Sequence, residues 1–262
     1  MESLLLVLVG VLVGLTTALF GFGGGFVTVP IITVADAGLG DRAAQVAAAT
    51  SALVMLVNAA VATASTRPEV LRALRGRTGL LLLLAAGGAV GAAAAGGAPE
   101  AALRWGFVAY VGATVVDLLV RPGFFGGSRR TDPDRTGATG VPTALGLPIG
   151  AIAAFLGVGG SVLTVPVMRR SGAPMAVATT LANPLTLAIV APAVAVVLLG
   201  PADASAPGVV GAVDVRAALA LLTGAMPVIV LLRRRPPRVP EAVHAWGYLL
   251  LLVAAACTVA LA

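Results

Sequence analysis

A chain of 262 residues with 59% hydrophobic side chains, 11% charged side chains and a mean hydropathy of +1.04 cannot cover a water-facing surface, because a soluble domain carries about 25% charged residues. The net charge is +6 and every cation is an arginine. In a soluble chain that balance would raise nucleic acid as a partner; set between long apolar stretches it marks the cytoplasmic ends of membrane helices, and nucleic acid is set aside.

No charge falls between Glu2 and Asp36, Arg42 and Arg67, Arg77 and Glu100, Arg135 and Arg169, or Arg170 and Asp203. Each interval reaches the roughly 20 apolar residues that a helix needs to cross a bilayer. In chain order the spacing predicts apolar segments at 3–35, 43–64, 79–98, 103–120, 141–168, 174–200, 212–232 and 242–262. Runs this long argue for helices; a barrel would show short alternating segments. The small residues from Gly87 to Gly97 suit close helix contacts in lipid. The first stretch has Glu2 and no arginine before its apolar core and runs on to Ala35, so it reads as mature protein, not a leader. Cys257 is the only cysteine, which leaves no internal disulfide, and it reads as a packing residue.

The chain repeats itself. Gly21-Phe-Gly-Gly-Gly-Phe-Val-Thr-Val-Pro30 matches Gly157-Val-Gly-Gly-Ser-Val-Leu-Thr-Val-Pro166. Ala49-Thr50-Ser51 then answers Ala178-Thr179-Thr180, and Trp105-Gly106-Phe107 answers Trp246-Gly247-Tyr248. Three anchors in one order indicate a duplication. The expected units are repeat 1 over 1–121, a cytoplasmic linker over 122–140 rich in Pro, Gly and charge, and repeat 2 over 141–262.

Arginines set the orientation. The loops 65–78, 121–140 and 233–241 hold Arg67, Arg72, Arg75, Arg77, Arg121, Arg129, Arg130, Arg135, Arg233, Arg234, Arg235 and Arg238, and all belong inside. Three apolar segments separate the second loop from the third, so one of them must dip and return. The 141–168 segment is the natural choice: it has a glycine break in its middle and Arg169 and Arg170 at its exit. Only Arg42, Arg104 and Arg216 then lie outside. By the internal match, 3–35 is also broken, at Gly21–Gly25. The fold expected is an all-α polytopic membrane protein of two inverted repeats, each with three full spans plus a broken helix pair or re-entrant hairpin. Both termini are expected to be extracytoplasmic.

Inverted repeats with discontinuous helices are a recurrent transporter plan. Irregular backbone at membrane depth must be buried in protein or line a cavity. The two glycine breaks are therefore expected to meet near the midplane, each followed by a helix whose first amides are unpaired and attract anions. The candidate substrate site is Gly23, Gly24, Gly25, Gly159, Gly160 and Ser161, with Thr50, Ser51, Thr179, Thr180 and Asn183 as further lining; Thr28 and Thr164 could join them. Asn183 is the most telling, since an amide in a membrane helix needs a partner, and Pro184, which follows it, is expected to break or kink the helix. The competing reading is that the glycines serve helix packing alone and that the hydroxyls bond back to their own helix. Asn58 reads as an interhelical hydrogen bond. Asp117 reads as an i,i+4 pair with Arg121 in preference to a proton relay. His244, Trp246 and Tyr248 read as interfacial, and Trp105 as part of an aromatic belt.

The glycine-rich 21–30 stretch, its copy at 157–166 and Ala178-Thr-Thr-Leu-Ala-Asn-Pro184 resemble the sulfite exporter TauE/SafE family of membrane permeases over nearly the whole chain. The resemblance implies transport of a small sulfur-containing anion, such as sulfite, sulfoacetate or another organosulfonate, usually outward across the cell membrane. Residue 161 departs from the first copy, with serine where that has Gly25. Alternating access is the expected mechanism, with protons as a candidate coupling ion and no cofactor. The alternatives are an anion channel, or a permease for another small anion. An intramembrane enzyme is disfavoured, since His244 is the only histidine and no paired carboxylates or metal cluster occur. No P-loop motif supports ATP-driven pumping.

Overall fold

The computed structural model describes residues 2–35, 43–121, 123–125, 140–199, 209–210 and 213–261. The expected linker 122–140 lies outside the described residues apart from 123–125 and Gly140.

Helices account for nearly all the described chain. The first apolar stretch is split, as its glycines predict, into α1 (Glu2–Phe20) and α2 (Gly25–Ala35). α3 (Ala43–Ala64) follows, and then the arginine-rich loop, which carries the short α4 (Pro68–Leu71) and a 3-10 turn at Arg72–Leu74. Next come α5 (Thr78–Ala95) and α6 (Glu100–Val120). In the second half the split pair is α7 (Gly146–Phe155) and α8 (Ser161–Arg170), followed by α9 (Met175–Leu199), α10 (Val215–Arg234) and α11 (Glu241–Leu261). A two-residue antiparallel pairing, β1 (Val209–Val210) with β2 (Val213–Asp214), precedes α10, which therefore begins later than the 212 expected from hydropathy. Asp214 ends the strand because its carboxylate accepts from the amides of Arg216 and Ala217 and caps α10. Among the described residues six helices are long and apolar enough to cross a membrane: α3, α5, α6, α9, α10 and α11. The chain is an all-α polytopic membrane protein.

Small residues set the closest packing. Gly10 and Gly14 of α1 lie against Leu221 and Ala225 of α10 in the same order, so the two helices run parallel. Gly146 and Gly150 of α7 lie likewise against Leu80 and Leu84 of α5. A side chain at Gly87, Gly88 or Gly91 would collide with carbonyls of α7 or α9, as the small-residue pattern predicts, whereas Gly97 faces open space. The packing partners are equivalent when the halves are exchanged: α1 on α10 and α7 on α5, α3 on α10 and α9 on α5, α2 on α3 and α8 on α9.

The arginine-rich loops gather at one end of the bundle. Gly79 adjoins Thr143, Arg170 pairs with Asp117 at the end of α6, and Arg169 pairs with Glu241 at the start of α11 at 3.0 Å. The Ser171 hydroxyl donates to the Gly140 carbonyl at 3.4 Å, so the α7–α8 segment enters and leaves the bundle at this same end. At the other end, Ile32 of α2 is buried with Ala47, Ala218 and Leu221, and Thr50 of α3 meets the strand that leads into α10. Arg121 pairs with Asp117 at 3.1 Å as the sequence reading had it, and Arg170 completes a three-residue cluster that the sequence did not reveal.

Candidate functional site

Both glycine breaks need backbone that other residues avoid. Gly21, Gly23 and Gly24 have φ of 75°, 67° and 102°, and Gly157 and Gly159 have 67° and 69°. The turns face each other. A Cβ at Gly25 would lie 2.7 Å from the Gly157 carbonyl oxygen, and Gly23 and Gly159 both pack on Met55 and Thr186. Met55 stands near the middle of α3 and Thr186 near the middle of α9, so the turns meet at mid-depth in the bundle. Gly23, Gly24, Gly25, Gly159, Gly160 and Ser161 are all buried.

Each turn delivers a helix N-terminus to this point. At α2, the amides of Val27 and Thr28 both reach the Gly24 carbonyl at 3.0 Å, which leaves the amides of residues 25 and 26 at the open end. At α8, Thr164 bonds back to Gly160 at 3.0 Å and no side chain caps the helix. The first amides of α8 therefore carry the positive end of its dipole unscreened.

The two breaks treat their hydroxyls differently. Thr28 and Ser51 hydrogen-bond to each other at 2.5 Å, one hydroxyl donating and the other accepting, and the accepting hydroxyl gives its own proton to a carbonyl of the turn, Gly24 O for Thr28 or Gly25 O for Ser51. Asn58 Nδ2 donates to Gly23 O at 3.3 Å, the interhelical bond expected of it. Around the second break, Ser161 Oγ, Thr164 Oγ1 and Thr186 Oγ1 are buried with no hydrogen-bond partner, and beside Gly24 of the first so are Thr17 Oγ1 and Asn58 Oδ1. An unpaired buried polar group costs about 1–3 kcal/mol, so a concentration of them at one place points to a ligand.

Other candidates fall around this centre. Gly21 packs against the backbone carbonyl of Thr179, whose own hydroxyl bends back to Ala176 O. Asn183 Nδ2 donates to Thr179 O and Thr180 O. The second of these carbonyls loses its helical donor to Pro184, so the amide repairs the helix and α9 runs on unbroken. Thr180 turns toward Arg233, which donates to its hydroxyl at 2.6 Å. Thr50 stands apart, accepting from the Asp214 amide at 2.9 Å. The structure thus brings Ser51 to the break residues, whereas the side chains of Thr179 and Asn183 bond within α9, that of Thr180 meets Arg233 and that of Thr50 meets Asp214.

Sequence reasoning missed the supports. α11 braces both breaks: His244 Nε2 bonds to Leu19 O at 2.6 Å, and Tyr248 donates to Ser161 O at 2.9 Å. Tyr248 stacks on Phe22 and meets Phe124 in an aromatic cluster. His244 and Tyr248 are buried, against the interfacial place expected for them; only Trp246, 52% exposed, keeps it. Trp105 is likewise exposed, beneath the Arg104 guanidinium. Cys257 faces outward and is not the packing residue expected. Helical spacing could have placed Tyr248 one turn from His244, but nothing in the sequence showed which helix they face. Met55 and Thr186 gave no signal beyond position in an apolar run.

Six membrane-length helices among the described residues and two facing broken segments define a polytopic membrane protein. The family model described as Sulfite exporter TauE/SafE matches residues 6–259. The chain belongs to that family, and it is a membrane transporter. No curated protein and no solved structure matches it.

Proposed function

We propose that this protein is a secondary transporter that exports a small sulfur-containing anion, such as sulfite, sulfoacetate or another organosulfonate, by alternating access. The observation that carries the reading is the meeting of two helix N-termini, that of α8 without a side-chain cap, beside unpaired buried hydroxyls. Amide ends and hydroxyls bind an oxyanion without a buried cation at the midplane. Ser161, Thr164 and Thr186 donate to the anion, and the glycines let it approach the backbone. Met55, an unbranched side chain that repacks easily, fills the space between the turns and withdraws when the anion seats.

The halves 1–121 and 141–262 act as inverted repeats that rock about this centre. Three observations support the inversion: the exchangeable packing partners, the parallel pairs α1–α10 and α5–α7, and the gathering of arginine loops at one end. With that end cytoplasmic, both termini lie outside. Uptake into proteoliposomes of sulfite, sulfoacetate, taurine and sulfate, with and without a pH gradient, tests the reading. Saturable flux of sulfite or an organosulfonate is expected, and stimulation by the gradient would identify protons as the coupling ion. Flux that stays linear in substrate would indicate a channel. No flux of any of these anions would refute the proposal.

A further inference from the structure

The geometry points to a second anion station, at Arg233, between the arginine-rich end of the bundle and the first glycine break. This inference rests on the anion-transport reading. Arg233 closes α10, yet it does not behave like the arginines beside it. Arg234 and Arg235 are exposed, as solvated anchors should be. Arg233 is only partly accessible and turns inward between α1 and α9. One terminal nitrogen donates to Thr180 Oγ1 at 2.6 Å and the other to the Thr17 carbonyl at 3.5 Å.

Its partners leave it incomplete. Among the described residues no carboxylate pairs with Arg233, and its Nε is buried without an acceptor. Arg169 shows what a structural buried arginine looks like here: Glu241 at 3.0 Å and the carbonyls of Phe124 and Ala173 satisfy it. A cation held in a membrane bundle without a counter-ion is expensive and marks an ion pathway.

Arg233 also stands next to the proposed site. Thr17, whose carbonyl it touches, has a buried, unpartnered hydroxyl that lies 3.7 Å from where a Cβ on Gly24 would stand. A guanidinium with a free Nε, a threonine hydroxyl beside it and the N-terminal end of α2 beyond make a path for one oxyanion. The planar fork suits two oxygens of a sulfite or sulfonate group. The anion is collected by Arg233 and passed to the helix ends, which hold it by weaker dipoles and so release it.

Sidedness tests this. Sulfite flux is measured in inside-out and right-side-out vesicles carrying wild type, Arg233→Gln or Arg233→Lys. Arg233→Gln should raise the KM for sulfite presented at the arginine-rich face by about tenfold or more, the loss expected of a charge-assisted hydrogen bond. At the opposite face KM should change little, and Arg233→Lys should recover part of the loss. If Arg233 only ties α10 to Thr180 and α1, Arg233→Gln will lower the melting temperature and leave both KM values unchanged, which overturns the inference alone. Absence of saturable flux in the wild type for sulfite and for the organosulfonates alike overturns the transport reading and this inference together.

Discussion

The two glycine breaks share a sequence pattern and differ in what they leave unbonded. At the first, Thr28, Ser51 and Asn58 tie the turn to α3 through hydrogen bonds to each other and to the carbonyls of residues 23–25. At the second, Ser161, Thr164 and Thr186 remain unbonded, and the turn is held from behind by Tyr248. On the proposed reading the two copies divide the work unequally: the first break, beside which, among the described residues, only Thr17 Oγ1 and Asn58 Oδ1 stay unbonded, is the more fixed wall, and the second presents more of the donors. The substitution that separates the copies fits this division: Gly25 has no room for a side chain, since Met55 Sδ and Gly157 O crowd it, whereas Ser161 occupies the matching position with its hydroxyl unbonded.

The sharpest way to break the comparison is Gly24→Val. Gly24 combines a φ of 102° with a Cβ position 2.6 Å from Val13, so strain and overpacking together should cost about 3 kcal/mol and abolish transport. Gly160→Ala is its control: φ is −79° and the obstacle is the end of the flexible Ile189 side chain, so it should fold with a modest loss of activity. Melting temperature and uptake measured together separate the two. Next in size is the exchange of the differing residues. Gly25→Ser should destabilise the protein and stop flux, while Ser161→Gly should fold and lose affinity alone.

A smaller effect isolates the donors. Ser161→Ala and Thr186→Val should raise KM about five- to tenfold at unchanged melting temperature, because their hydroxyls bond to nothing within the protein. Ser51→Ala should do the reverse, costing about 1 kcal/mol of stability through the lost bonds to Thr28 and Gly25. The smallest effect is expected for Thr50→Val, which removes one acceptor at the Asp214 amide and touches neither break; KM should not move. A large rise in KM for Thr50→Val would place the substrate elsewhere.

Much of this architecture was legible from the chain. Uncharged intervals gave the helices, and the glycine runs gave both breaks within a few residues, because a span interrupted by Gly21–Gly24 or Gly157–Gly160 has few other conformations. Arginine parity required the 141–168 segment to return, and the bond between Ser171 and Gly140 shows that it does. Which hydroxyls are free was not legible. Thr50 and Ser51 are neighbours in sequence, yet a helix turns them about 100° apart, so one reaches the break and the other reaches α10. Arg233 was read with its neighbours as an anchor because composition cannot tell an inward guanidinium from an outward one. Tyr248 and His244 were read as interfacial because Trp246 between them is; alternate faces of one helix carry the two roles.

The central claim is that an oxyanion sits between the ends of α2 and α8. The most direct measurement is the anomalous scattering of selenite, the selenium counterpart of sulfite, bound in crystals of the protein. A selenium peak within hydrogen-bond reach of the Ser161 hydroxyl and of the first amides of both helices is the result predicted. A well-ordered selenite bound elsewhere, with the two glycine turns still closed on Met55, would contradict it.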